Sequence, residues 1–410
     1  MSQVKQAQMT AGAVVLLVVR ESIRSFSRNR NLESAATLAY YGFLSLMPLL
    51  LLLIFLLGWI AESSDTALAA IQGLLADLFP AFDERLLAEL GTLAHQRVWG
   101  VVGFAVLLWS MTPFAGAARH TIVHIFKGEH RPAFLREKSV DLAVVLALLL
   151  LFILLTAGRL VAPSLQEELA WVARAARAAV GLAVAMGMVS VFYKVFAPVK
   201  LQWREAAVGA LVAVFLLGLI RPLFGLLLQY NPNFGYAFGS VKAIFLLIVW
   251  VYYTFAVLLF GAELAANTRR REALVLRGFL AGDRPVGRTS QRLVERFVRR
   301  FDRGSVLFRE GDAGDEMYFI RSGAVRLTRG PVELRVMREG DYFGEMSMLL
   351  GAPRTATAEV TESDTELVAI AEHNLETILL ENPGVVRRLL VDMAARLQAM
   401  NERIDAAGRK

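Results

Sequence analysis

The 410-residue chain has no cysteine, which removes a disulfide scaffold, a thiolate metal site and a cysteine nucleophile together. Histidine is scarce too: His95, His120, His124, His130 and His373 are the five in the chain. His120 and His124 are four residues apart and share a helix face, but no neighbouring carboxylate completes a ligand set, so they read as interfacial side chains. No metal and no enzymatic activity are expected, since hydrolytic chemistry wants clustered carboxylates around metals or paired histidines that activate water. Charge is scarce only in part of the chain. Residues 1–267 hold 20 Lys+Arg and 15 Asp+Glu, or 35 charges in 267 positions, whereas the remaining 143 positions hold 46. Two chemically different parts share one chain.

The charge-poor part is filled by long apolar runs. A hydrocarbon core of about 30 Å takes about 20 apolar helical residues to cross, and six stretches meet that need, at about 35–60, 98–118, 139–161, 178–197, 205–230 and 239–267. The shorter apolar run Ala11 to Val19 belongs to an interfacial amphipathic helix within 1–34, and 65–95 reads as an amphipathic helical hairpin broken at Pro80. Short loops rich in Lys and Arg stay on the cytoplasmic side. Lys5, Arg20, Arg24, Arg28 and Arg30 precede the first span; Arg119, Lys127, Arg131, Arg136 and Lys138 separate the second and third. Lys194, Lys200 and Arg204 separate the fourth and fifth, and Arg269, Arg270 and Arg271 follow the sixth. The alternate loops hold fewer: Arg85 and Arg97, then Arg174 and Arg177, then none in 231–240. The expectation is therefore a six-helix domain over 35–267 in a bacterial inner membrane, with both termini cytoplasmic.

"LAYYGFLSLMPLLLLLIF" at the first span and "YAFGSVKAIFLLIVWVYYTFAVLLFGAELA" at the last resemble the two ends of the YihY/BrkB family of bacterial inner-membrane proteins, as does "PVKLQWREAAVGALVA" before the fifth span. The resemblance covers roughly 20–268. It carries a virulence-factor label, an old ribonuclease label that these residues do not support, and an implied role in lipid-related transport. Charges within spans are costly and mark cavities or partners. Arg159, Arg221 beside Pro222, Lys242 and Glu263 qualify by position. The cations either snorkel to headgroups or line a path for an anionic headgroup or solute beside the helix breaks at Pro48 and Pro222.

From Phe301 the pattern changes to short alternating strands punctuated by glycines. Strands are expected within "SVLFREGDAGDEMYFIRSGAVRLTRG", "VELRVMREGDYFGE" and "TATAEVTESDTELVAI", with two helices over 374–407 separated at Asn382-Pro383-Gly384. The result is a small β-roll with C-terminal helices over 301–410. Within it, Phe343-Gly344-Glu345-Met346-Ser347 followed by Arg354-Thr355-Ala356 has chemical logic. Gly344 admits close backbone approach, a helix start offers free N–H groups to an anion, and Arg354 supplies a guanidinium fork suited to phosphate.

This stretch resembles the phosphate-binding cassette of cyclic-nucleotide-binding domains. The resemblance assigns Glu345 to the ribose hydroxyl, Arg354 and the backbone of Met346 and Ser347 to the cyclic phosphate, and Thr355 to a position near a guanine. Ala356 packs closely. It favours cAMP over cGMP by family frequency, and makes the last helix, with Arg387, Arg388 and Leu389, a lid over the base.

Residues 268–300 form an Arg-rich connector. Over 268–303 eleven arginines face four acids, a composition suited to anionic lipid at the membrane surface; no recognition module accompanies it, so nucleic acid is not an expected partner. Ala281 to Thr289 is the expected hinge. The reading is a transporter or lipid-handling membrane protein regulated by a cyclic nucleotide, with self-association left open. A cyclic-nucleotide-gated channel and a non-transporting receptor or scaffold are the alternatives. The channel lacks a span with regularly spaced Arg, and 231–240 is too short for a pore helix and filter.

Overall fold

A computed structural model describes residues 2–60, 106, 109–127, 170–230, 242–281, 295 and 297–408. The chain divides into two compact units, 20–268, and 269–410 together with 1–19.

The helices up to residue 269 are α1 (Ser2–Arg28), which the division at residue 20 splits between the two units, α2 (Asn31–Ile60), α3 (Thr112–Phe126), α4 (Ala170–Phe196), α5 (Trp203–Tyr230) and α6 (Lys242–Arg269). Among the described residues three helical stretches are long and apolar enough to cross a membrane: Asn31–Leu52, Trp203–Leu226 and Phe245–Arg269. They coincide with the first, fifth and sixth expected spans. The fourth falls on α4, whose apolar stretch Gly181–Phe196 is shorter. The second is described only at 106 and from 109 onward, while the third and the 65–95 hairpin lie outside the described residues, as does the expected hinge beyond Ala281.

Small residues let these helices close up. Ala206, Ala210 and Ala213 of α5 and Ala262, Ala265 and Ala266 of α6 are all buried in one cluster. A Cβ on Gly209 would strike the carbonyl oxygen of Gly261, and a Cβ on Gly261 would meet the Tyr193 hydroxyl. Where lipid removes the hydrophobic drive between helices, such backbone proximity and interhelical hydrogen bonds hold them together. Fully buried Tyr193 donates its hydroxyl to the Leu258 carbonyl at 2.6 Å. Pro48 and Pro222 lie inside α2 and α5, where each removes one backbone donor.

The second unit begins with α7 (Arg271–Ala281), followed by β1 (Val298–Phe301), β2 (Val306–Phe308), β3 (Glu316–Ser322), β4 (Ala324–Arg329), β5 (Val332–Arg338), β6 (Tyr342–Phe343), α8 (Glu345–Leu350), β7 (Thr357–Val360), β8 (Thr365–Ala371), α9 (Glu372–Glu381) and α10 (Pro383–Gly408). Two four-stranded sheets, β1-β8-β3-β6 and β2-β7-β4-β5, pair antiparallel throughout. The β-roll with C-terminal helices is present.

Period-two alternation gives the first sheet two buried faces. Tyr318, Ile320, Leu367 and Ala369 point into the core between the sheets with Val325, Phe343, Ala358 and Val360. Their neighbours Met317, Val368 and Ile370 point the other way and pack under helices α7, α9 and α10. That explains why β8, "TELVAIA", is an almost continuous apolar run. Ala273, Leu276 and Leu280 of α7, spaced three and four apart, form one buried stripe against Leu375, Ile378, Val385 and Leu389, and Phe279 packs against Phe319 with tilted rings, centroids 5.3 Å apart.

The sequence places 268–300 in a connector. Its first helix and its last strand are instead built into the sensor. Arg299 makes two 2.9 Å bonds to Glu316, and Arg300 pairs with Glu366 at 3.0 Å.

Candidate functional site

The site grows from one turn. β6 ends at Phe343, and Gly344 takes φ 81°, which caps α8 in the left-handed region. An L side chain is strained there, and a Cβ would also come within 2.7 Å of Arg354 Nη1. After Leu350 the chain turns at Gly351, again left-handed. It then brings Arg354 back, its N–H on Asp312 O at 2.8 Å and its carbonyl accepting from Gly311 N at 2.9 Å. Gly314 serves the same approach, since a Cβ on it would overlap the guanidinium.

Arg354 is buried, and its guanidinium is held by neutral groups. Nη1 donates to Gly344 O and to Ser347 Oγ, both at 2.9 Å, and Nη2 donates to Glu316 O at 2.6 Å. The cation lies 4.2 Å from the Phe308 ring centroid, close enough for cation–π attraction. Nε is buried without a hydrogen-bond partner. Burial lowers the pKa of this group, while Tyr318, Asp315, Glu316 and Asp312 act against the shift. The guanidinium stays protonated at any physiological pH. The nearby acids act on it only through space, while its direct acceptors are neutral and Nε has none, so an anion in the adjoining space would meet a cation with bonding capacity left over.

That space is a cavity of about 140 Å³, room for more than a single ion. Gly344, Glu345, Met346 and Ser347 line one side, Arg354, Thr355 and Ala356 another, and Phe308, Leu327 and Phe343 give it an apolar wall. Glu345 and Ser347 are buried, and Met346 is exposed. Every cassette residue singled out in the sequence therefore meets the cavity. The lid candidates do not line it. Leu389 is buried in the apolar cluster with α7 and α9, and Arg387 and Arg388 are exposed on α10.

Sequence reasoning missed Phe308, Leu327 and the Glu316 carbonyl. Phe308 and Leu327 alternate in strands like any core residue, so nothing local marks them. Gly314, inside "EGDAGDE", carried a usable signal as a small residue in an otherwise polar turn.

In the membrane unit Glu263 is fully buried and accepts from Asn29 Nδ2 at 2.6 Å and Asn31 Nδ2 at 2.8 Å. Beside it Asn267 Nδ2 donates to Ser22 Oγ at 3.1 Å. These bonds tie the α1–α2 elbow to the end of α6. Arg221 is exposed, Lys242 opens α6, and Arg159 lies outside the described residues. His120 and His124 are exposed on α3. Among the described residues no group of three or more His, Asp or Glu side chains is placed to hold a metal.

Comparison with known proteins agrees with both halves. A ribonuclease-like protein of Bacillus subtilis is 24% identical over 272 residues, 62% of this chain and 96% of that protein. In the sensor, a CRP-like cAMP-activated global transcriptional regulator of Mycobacterium tuberculosis is 32% identical over 109 residues, 25% of this chain and 48% of that one. A cGMP-dependent protein kinase of Toxoplasma gondii is 40% identical over 82 residues, 20% of this chain and 8% of the kinase. The chain thus spans less than half of either sensor relative. The cyclic nucleotide-binding domain family matches residues 298–382. The virulence factor BrkB family matches residues 22–278, more than half of the chain, and the protein accordingly belongs to the BrkB family of membrane proteins, with a cyclic nucleotide-binding domain following the membrane part.

Proposed function

We propose that this is a six-span inner-membrane transporter or lipid-handling protein, both termini cytoplasmic, whose activity is set by a cyclic nucleotide bound in the Glu345–Arg354 cavity. The observation that carries the reading is the buried Arg354 guanidinium, held by three neutral acceptors and open to an anion. Arg354 takes the cyclic phosphate with the first-turn N–H groups of α8, and Glu345 takes the ribose hydroxyl. The relatives name both cAMP and cGMP; cAMP is the first choice, and exposed Thr355 on the cavity wall keeps cGMP in the test.

Chain order supports a regulatory rather than a storage role. Only Arg270 separates α6 from α7, and α7 is part of the sensor's own apolar core. A ligand that repacks this core acts on the helix next to the last span. The proposal assigns the protein no catalysis, and it places the remaining connector arginines against anionic lipid.

The test is direct. The full chain in lipid nanodiscs binds cAMP or cGMP in calorimetry, and in reconstituted vesicles the same nucleotide changes the movement of a labelled anionic lipid or solute. No heat with either nucleotide rejects the sensor. Selective cation current in place of lipid or anion movement supports a gated channel.

A further inference from the structure

α4 and α5 are joined by a short turn, 197–202, and three cations gather around it. Lys194 Nζ donates to the Leu201 carbonyl at 2.7 Å and lies 4.9 Å from the centroid of the Trp203 ring. Lys200 and Arg204 are exposed, and among the described residues none of the three pairs with an acid. On α1 and its elbow, by contrast, Arg28 pairs with Glu21 at 3.7 Å and Arg30 with Glu33 at 3.6 Å. Glu205, the acid in the 194–205 stretch, is buried, and its Oε2 accepts from Gln202 N–H at 2.9 Å. It shapes the start of α5 and neutralises none of the cations. A turn so charged selects an anion.

What adjoins the turn selects the kind of anion. Arg204, Val208, Leu211, Phe215 and Leu219 follow one another at intervals of four, three, four and four, which is one face of α5, and all five are exposed. The packed face of the same helix is the one with Ala206, Ala210 and Ala213. The apolar part of the exposed stripe lies within the candidate span Trp203–Leu226, so it meets acyl chains. From Arg204 to Leu219 it runs about 22 Å at 1.5 Å per residue, more than one leaflet's half of a hydrocarbon core of about 30 Å. Trp203, 58% exposed at the first position of the span, is the residue type that settles at headgroup level. The cations therefore stand at headgroup depth and the stripe at chain depth. We propose that this surface seats one anionic phospholipid, with its phosphate on Lys200 and Arg204 and an acyl chain along the α5 stripe. Lys194 is a positioning residue, which ties the turn to the end of α4 and sets Trp203. A soluble phosphate would satisfy the cations and leave the stripe unused. On the topology proposed above, the seat faces the cytoplasmic leaflet. Its lipid resides on the outside of α5 rather than passing through the protein, so the proposal stands or falls apart from transport and from the nucleotide reading.

The full chain in neutral-detergent micelles is titrated with phosphatidylglycerol and, separately, with phosphatidylethanolamine, and its thermal midpoint is followed. Phosphatidylglycerol raises the midpoint at a lower mole fraction than phosphatidylethanolamine does, and glycerol 3-phosphate, which has no acyl chain, does not raise it. K200A/R204A keeps the lipid-free midpoint and moves the half-maximal phosphatidylglycerol fraction up by about 30-fold, since a cation near anionic lipid is worth roughly fivefold in affinity. K200R/R204K keeps the response. R20A/R24A removes the same charge from exposed positions of α1 and leaves the titration unchanged. Equal responses to the two lipids in the unmodified chain overturn the proposal, and do so without any variant. An equal loss in R20A/R24A also overturns it, because the preference then belongs to the whole cationic end of the unit rather than to this turn. Stabilisation by glycerol 3-phosphate alone overturns it as well, and gives the turn to a soluble anion.

Discussion

Arg354 shows how one side chain turns a fold into a binding site. Its three acceptors are neutral, its Nε has none, and burial lowers its pKa against the pull of Asp312, Asp315 and Glu316, so what it lacks is a directly bonded anion. Replacing Arg354 with Ala removes one partner of a buried charge pair, and nucleotide affinity in calorimetry falls by about 2–5 kcal/mol, at least roughly thirty-fold. Arg354→Lys retains the charge but loses the planar fork and the stacking on Phe308, so most of the loss remains. Glu263 differs because its partners are donors already present. Glu263→Ala strips Asn29 and Asn31 of a charged acceptor, where each such bond contributes about 1.5–3 kcal/mol. The thermal midpoint of the chain in detergent drops, and Glu263→Gln, which keeps an acceptor oxygen, drops it less. Equal loss in both variants would mean that the charge, and not the tie between the elbow and α6, is what matters there.

Elements were legible in proportion to how local their causes are. The turn at Gly344, the short α8 and the return of Arg354 lie within a dozen residues, and each has a residue type that the geometry requires. The helix break at Asn382-Pro383 was equally plain. α7 was not, because exposed Arg271 and half-buried Arg277, which flanks the stripe, dominate the composition and conceal Ala273, Leu276 and Leu280. Phe308 beneath Arg354 and the Asn29–Asn31 pair around Glu263 are joined only by the fold, across 46 and more than 230 residues. Two substitutions test the elements. Gly344→Ala forces a Cβ into a left-handed turn, at about 1–2 kcal/mol, and displaces the Arg354 Nη1 contact, so nucleotide binding weakens in calorimetry by at least that amount. Leu276 is fully buried, and Leu276→Ala opens a cavity worth about 2–5 kcal/mol. A lower unfolding midpoint of the sensor checks it. No change would place α7 outside the sensor's cooperative unit.

At the scale of the whole molecule, the net charge of +7 hides a partition. Residues 1–267 carry +5, 268–303 carry +7, and 304–410, with 13 basic and 18 acidic residues, carry −5. An acidic sensor does not draw an anionic nucleotide from a distance, so affinity has to come from the cavity itself, and binding responds weakly to salt compared with a site built on a basic surface. Regulation is a separate claim from binding. A nucleotide shifts the membrane unit only by the difference in its affinity for two states, and the coupling is reciprocal. If the nucleotide changes the affinity of the membrane unit for the species it handles by about fivefold, a coupling of about 1 kcal/mol, then saturating that species must change nucleotide affinity by the same factor. Calorimetry on the full chain in vesicles, with and without the labelled lipid or anion that moves, measures it. A matching shift, lost together with nucleotide control of flux in Arg354→Ala, establishes one coupled molecule. An unchanged nucleotide affinity would leave a sensor and a membrane unit that share a chain without sharing an equilibrium.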